Sequence, residues 1–214
     1  MHDNIDFHTS KIVDGYRKAF IDSGYESDPE YSPSLMTNSN GKKVLTVLER
    51  EMKNCDEMCI SVAFITRGGI TPLLGTLKEL EAKGIKGKIL TTDYLMFSDP
   101  DALNTLDNLG NIELRMFKTA EGKRGFHTKG YLFHNKSDLR IIVGSSNLTQ
   151  DAITKNYEWN TKIVSTVKGE FARDIEKEFN DLWETPVASY AKVRIYPNIL
   201  SGSSRARPCS CPVR

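Results

Sequence analysis

The stretch Phe126–Asn160, FHTKGYLFHNKSDLRIIVGSSNLTQDAITKNYEWN, decides how the chain is read. His127 and Lys129 stand two apart at the start of an apolar run, so on a strand their side chains share one face. An imidazole beside an ammonium suits an anion held between them. The next apolar run ends in Gly144-Ser145-Ser146-Asn147. Small residues there let the backbone approach a ligand, and the hydroxyls of Ser145 and Ser146 and the amide of Asn147 can donate to phosphate oxygens. Further on, Glu158 offers a carboxylate able to hold one imidazole nitrogen and so fix its tautomer.

Working outward, alternation and helical spacing outline the rest. Upstream, Val44–Asn54 reads as a helix and Met58–Phe64 as a buried strand. A helix opening at Gly68-Gly69 carries Leu73, Leu74, Leu77 and Leu80 and ends at Gly84. Lys88–Thr91 is a strand, Pro100–Leu109 a helix and Ile112–Phe117 a strand. Downstream, Gly130–His134, Leu139–Val143 and Glu158–Val164 are strands, and Gly169–Trp183 is a helix. Helices and strands alternate early and strands cluster late, which predicts an α/β fold, an α/β/α sandwich with a central mixed sheet. Residues 9–22 have helical spacing, and residues 22–40 read as a polar connecting arm with Pro29, Pro33 and four acids. The expected organisation is an N-terminal helical arm over 1–40, a domain over 41–187, and a linker or non-native tail over 188–214. The last fourteen residues, SGSSRARPCSCPVR, have no apolar periodicity.

The 214 residues carry 29 Lys+Arg against 28 Asp+Glu and are 39% apolar. That balance excludes a wholly basic nucleic-acid coat protein, so polyanion binding must come from a local patch. No apolar run approaches a membrane span, and the N-terminus lacks the apolar core of a signal peptide, so the expected compartment is the cytoplasm. Cys55, Cys59, Cys209 and Cys211 form no Cys-x-x-Cys pair and have no histidine at zinc-site spacing; Cys59 reads as a core thiol. A patch lies just before the motif: Arg115, Lys118, Lys123, Arg124 and Lys129 stand against Glu121 over residues 115–130. The first four are expected to bind the substrate backbone. Phe117, Phe126 and Trp159 read as core aromatics more readily than as platforms for bases.

His127-Thr128-Lys129 followed by Gly144-Ser145-Ser146-Asn147 resembles the His-x-Lys half-motif of the phospholipase D superfamily, over roughly residues 41–184. The strings SVAFITRGGI, GIKGKILTTDYL and NYEWN are similar to the N-terminal phospholipase D-like domain of bacterial DEAD/DEAH-type helicases. The chain itself contains no Gly-x-x-x-x-Gly-Lys-Ser/Thr phosphate loop, so the motor domain is absent from it. One position departs from the family pattern. The aspartate usual five residues after the lysine is replaced by His134, and the nearest acid is Asp138.

The resemblance implies a metal-independent phosphodiesterase with no cofactor, a DNA nuclease module associated with a helicase. His127 would form a phosphohistidine, Lys129, Ser145 and Asn147 would stabilise charge on the phosphorus oxygens, and Glu158 would support the histidine. A second histidine must protonate the leaving oxygen, and family members with one half-motif pair two chains. The implied active form is therefore a homodimer with a shared site. Two alternatives stand beside this: a catalytically silent DNA-binding module that targets a helicase, and a lipid phosphodiesterase, against which the lack of a membrane segment argues.

Overall fold

The computed structural model describes residues 2–17, 28, 30–122, 124–136 and 138–190. In chain order these form α1 (His2–Arg17), β1 (Ser34–Met36), α2 (Val44–Lys53), β2 (Glu57–Val62), α3 (Arg67–Ile70), α4 (Leu74–Ala82), β3 (Lys86–Thr92) and α5 (Pro100–Asp107). There follow β4 (Ile112–Phe117), β5 (Lys129–Asn135), β6 (Asp138–Gly144), α6 (Gln150–Thr154), β7 (Asn160–Thr166), α7 (Glu170–Glu184) and β8 (Ala188–Tyr190). The eight strands make one sheet in the order β1-β7-β6-β5-β2-β3-β4-β8. β2, β3 and β4 are parallel, joined through the crossovers that carry α3, α4 and α5, and all other pairings are antiparallel. The sheet is therefore mixed, as expected from the order of elements.

Period-two alternation sorts the strand side chains onto two faces. Ile60, Val62, Tyr131, Phe133 and Ile142 enter a large core with Leu48 and Met52 of α2, Leu77 and Leu80 of α4 and Leu103 and Leu106 of α5. Cys59, Leu90, Leu132 and Ile141 face the other way, onto Ala172, Phe179 and Trp183 of α7. The rings of Phe179 and Trp183 stack with centroids 5.7 Å apart. At about 25 cal/mol per Å² of apolar area, burying these two side chains makes α7 the main cover of that face.

Five expectations change. The arm over residues 22–40 contributes β1, an edge strand whose Met36 and Ser34 pair with Asn160 and Lys162. Only Met36 of the three is buried, too short a pattern to read. Asn38, with φ +60°, ties this segment down: its Nδ2 donates to the carbonyls of Ala152 and Asn156, and its Oδ1 accepts from Val44 N. At the other end, Ala188–Tyr190 pairs with β4. The helix expected from Gly68 to Gly84 is broken into α3, a 3-10 turn at Thr71–Leu73 and α4, because Pro72 has no N–H to give an α-helical ladder. The strand expected from Glu158 starts at Asn160, leaving Glu158 on the preceding loop. The helix expected over 9–22 runs from His2 to Arg17, and its expected last five residues lie outside the described residues, as does the 201–214 tail.

Cys55 and Cys59 are both buried and free, and burial pushes their thiols up to about 11 and about 12. Thiolate is the reactive form, so both are expected to resist iodoacetamide in the native protein and react in guanidinium. Differential alkylation read by peptide mass spectrometry checks this; native-state labelling of Cys59 would show that α7 opens readily.

Candidate active site

The motif residues meet where β5 begins and β6 ends. β2 joins them there: beyond Val62 the chain continues extended, with Ala63 N donating to Thr128 O and an isolated parallel bridge between Ile65 and Leu148. Two glycines permit the close packing. A Cβ on Gly144 would lie 2.3 Å from Trp159 O, and one on Gly69 would lie 2.0 Å from Leu148 O. Any side chain at either position would push the motif loop off its neighbours.

His127 is exposed, on the loop just before β5. Lys129 Nζ lies 3.0 Å from its Nδ1, 3.1 Å from its Nε2 and 3.1 Å from its backbone oxygen. Being nearly equidistant from both ring nitrogens, the ammonium is aligned with neither lone pair. Burial holds the Lys129 ammonium below its usual range, while the nearby Glu158 carboxylate acts in the opposite sense. Phe64 backs the imidazole edge-to-face, ring centroids 6.2 Å apart, and is itself packed by Phe97 at 5.1 Å.

Asn147 is oriented by its oxygen, which accepts from Phe64 N at 3.1 Å. That leaves the amide nitrogen as the group that can donate outward. Ser145 Oγ donates to Glu158 Oε2 in a short hydrogen bond and accepts from Trp159 N at 3.0 Å. The β6 and β7 ends are bound together by Ser145 N to Trp159 O, so Ser145 is the partner within reach of this carboxylate. This corrects the expected contact: within one chain Glu158 holds Ser145, not the imidazole.

Ser146 is also corrected. It is fully buried; its Oγ donates to Ala152 O and accepts from Asn160 Nδ2, and its N–H donates to Asn160 Oδ1. Its carbonyl accepts from the hydroxyl of the buried Tyr131. Every polar group of Ser146 is thus spent on holding the loop, and none faces a ligand.

The basic patch comes apart. Arg115 points to the α7 face, with its guanidinium 4.4 Å from the Trp183 ring centroid and donating to Trp183 O at 2.6 Å and to Glu113. It is a packing residue, not a backbone ligand: successive positions of β4 alternate between faces, and the sequence alone does not say which face is covered. Lys118 pairs with Glu121 at 3.2 Å. Arg124 is exposed on the loop leading to His127, and Lys123 lies outside the described residues. Phe117 and Phe126 stack on each other and are buried, as expected, but Trp159 is 76% exposed and Tyr157 is 93% exposed, flanking Glu158. Sequence reading missed Phe64 and Asn160. Both lay in quoted strings, SVAF and NYEWN, but only contact geometry separates such supports from ordinary core. At the far end of β5, His134 Nε2 lies 3.0 Å from Glu176 Oε1 of α7. Among the described residues no group of three or more His, Cys, Asp or Glu side chains is placed to hold a metal ion. Among them, too, no helix is long and apolar enough to cross a membrane.

The family model described as "Cardiolipin synthase, PLD-like domain" matches residues 48–183. The chain belongs to the phospholipase D-like family. Its phospholipase D-like fold is shared with solved structures of low sequence identity. NucT from Helicobacter pylori is 19% identical, with a TM-score of 0.56 over 72% of this chain and 96% of that one. A phospholipase D family member, Nuc from Salmonella typhimurium, is 19% identical, with a TM-score of 0.57 over 71% and 93%. The polyphosphate kinase of Porphyromonas gingivalis, at 13% identity and a TM-score of 0.53, matches over 86% of this chain but only 26% of its own. No curated protein matches the sequence.

Proposed function

We propose that this phospholipase D-like chain is a phosphodiester hydrolase that cleaves DNA, with His127 as nucleophile and no metal in the reaction. One observation carries the reading: an exposed imidazole set 3.0–3.1 Å from a lysine ammonium, at a rim that also holds the Asn147 amide. His127 would attack phosphorus as the P–O bond to the leaving strand breaks, and the leaving oxygen would take a proton from a second imidazole. Water would then attack the phosphohistidine, giving its proton to that same imidazole as the P–N bond breaks. Lys129 and Asn147 would carry the charge on the non-bridging oxygens, the task a metal performs elsewhere. Ser145 and Glu158 form the other wall, with Glu158 keeping Ser145 oriented.

The second imidazole would come from a second copy of the chain. His134, the other histidine of the sheet, is at the opposite end of β5, roughly 20 Å away at 3.3 Å per residue, and is paired with Glu176. A two-fold axis beside the exposed His127 would bring two such rings together. Exposed Trp159, Tyr157 and Arg124 around the rim favour a nucleic acid, whose bases can stack and whose backbone is anionic. The helicase-like strings SVAFITRGGI, GIKGKILTTDYL and NYEWN support service alongside a DEAD/DEAH-type motor in the cytoplasm. On this reading the nuclease domain spans 41–187, extended by the two edge strands.

The test is incubation with single-stranded, double-stranded and forked DNA in millimolar EDTA. Cleavage is expected to persist. Loss on chelation with recovery in magnesium would overturn the His–Lys mechanism. Tight binding without cleavage of any DNA would favour a silent DNA-binding module, and turnover of a phospholipid alone would favour a lipid phosphodiesterase.

A further inference from the structure

A cavity of about 660 Å³ lies apart from the motif, on the sheet face opposite α7, between α2 and the edge strand β1. None of the motif residues lines it. Its floor is made by Arg140 of β6 and Lys162 of β7, only 8% and 4% exposed; Arg50 stands on its α2 wall and Lys42 and Lys43 at its mouth. Such buried cations are retained only where anions repay their lost hydration. Among the described residues two carboxylates face them. Fully buried Glu51 takes Arg50 at 2.8 Å, Arg140 at 3.1 Å and Lys162 at 3.2 Å, and Glu30 pairs with Arg140 from the cavity side. Among the described residues, five cations therefore face two anions.

Two further observations point to a missing anion. Arg140 Nε is buried and has no hydrogen-bond partner among the described residues. The first turn of α2, ten residues long, contains no acidic residue, and Lys43 at its N-cap gives no side-chain cap; Asn38 takes only Val44 N. The positive end of this helix and two lysines thus converge on the cavity unmatched.

We infer that this cavity binds a phosphate ester of nucleotide size, whose phosphate displaces the Glu30 carboxylate from Arg140. A phosphomonoester brings close to two negative charges and three acceptor oxygens, enough for a guanidinium fork and two lysines. The volume lies within the range of small-molecule sites, and Leu35, Met36 and Val47 offer an apolar wall to the body of the ligand. This does not depend on the proposed nuclease activity.

The test is calorimetric titration of the full chain with AMP, inorganic phosphate, and one short oligonucleotide carrying either a 5′-phosphate or a 5′-hydroxyl. Saturable binding of AMP or of the 5′-phosphorylated strand is expected; whichever binds tighter identifies a free nucleotide or a strand end as the source of the phosphate. Lys42→Glu/Lys43→Glu should weaken binding about tenfold or more. Both positions are exposed and lie at a helix N-terminus, where acids are favourable, so folding should survive. Glu30→Gln should tighten binding several-fold, and His127→Ala should leave it unchanged. Absence of saturable AMP binding together with equal binding of the 5′-phosphate and 5′-hydroxyl strands, or loss of binding in His127→Ala with none in the lysine variant, would overturn the proposal.

Discussion

His127→Ala is expected to reduce DNA cleavage by about 10⁴-fold or more while leaving the melting temperature unchanged, because a nucleophile contributes to the barrier rather than to the fold. The side chain is exposed and makes one ring contact, with Phe64, so its loss costs little stability. DNA binding should persist through Lys129, Arg124 and the exposed rim aromatics. The same variant tests the shared site. When wild type is dissociated and reassembled with an excess of His127→Ala, mixed dimers keep only one imidazole. Activity should then fall with the square of the wild-type fraction, not in proportion to it. A proportional fall, or full activity from a monomer at low concentration, would reject the two-chain arrangement. Wild-type activity of His127→Ala itself would reject the nucleophile.

The contrast between the motif and its surroundings explains what was legible in the sequence. His127, Lys129 and Asn147 were readable because β5 and β6 are consecutive and antiparallel, so residues close in sequence order end at one rim of the sheet. The layering was readable for the same reason: helical spacing and strand alternation are local. Arg115 was misplaced because charge counted along a segment ignores which face of β4 it occupies, and that face is covered by α7, far along the chain. Ser145 and Ser146 look alike in sequence, yet alternation sends one outward to Glu158 and the other inward to Asn160. Trp159 was read as core because tryptophan normally buries its large apolar area; here β7 begins one residue later and leaves the ring outside. The cluster around Glu51 was invisible, since its members come from α2, β6 and β7 and no spacing rule links them.

That cluster should carry the largest stability effect in the molecule. Burial opposes ionisation of Glu51, but the hydrogen bond from Arg50, the charge and hydrogen bond of Lys162, and the bond from Arg140 outweigh it and hold the carboxyl below its usual range. The folded pKa is thus lower than the unfolded one. Stability from this group is present above the unfolded value, about 4.3, and is lost as pH falls through the folded value. Glu51→Gln removes the one anion that Arg140 and Lys162 share among the described residues and leaves two buried cations under-compensated. A loss of about 3–5 kcal/mol is expected, because breaking a buried ion cluster costs far more than the intact cluster contributes. For a chain of this size that corresponds to a fall in melting temperature of roughly 10 °C. Asp181→Ala, which breaks the exposed pair with Lys177 on α7, should leave the melting temperature unchanged and serves as the control. Replacing Glu51, Arg140 and Lys162 together by Leu, Met and Met should recover much of the loss, since apolar side chains of similar volume need no counter-charge. If Glu51→Gln melted with the control, α2 would be held to β6 and β7 by its apolar contacts alone.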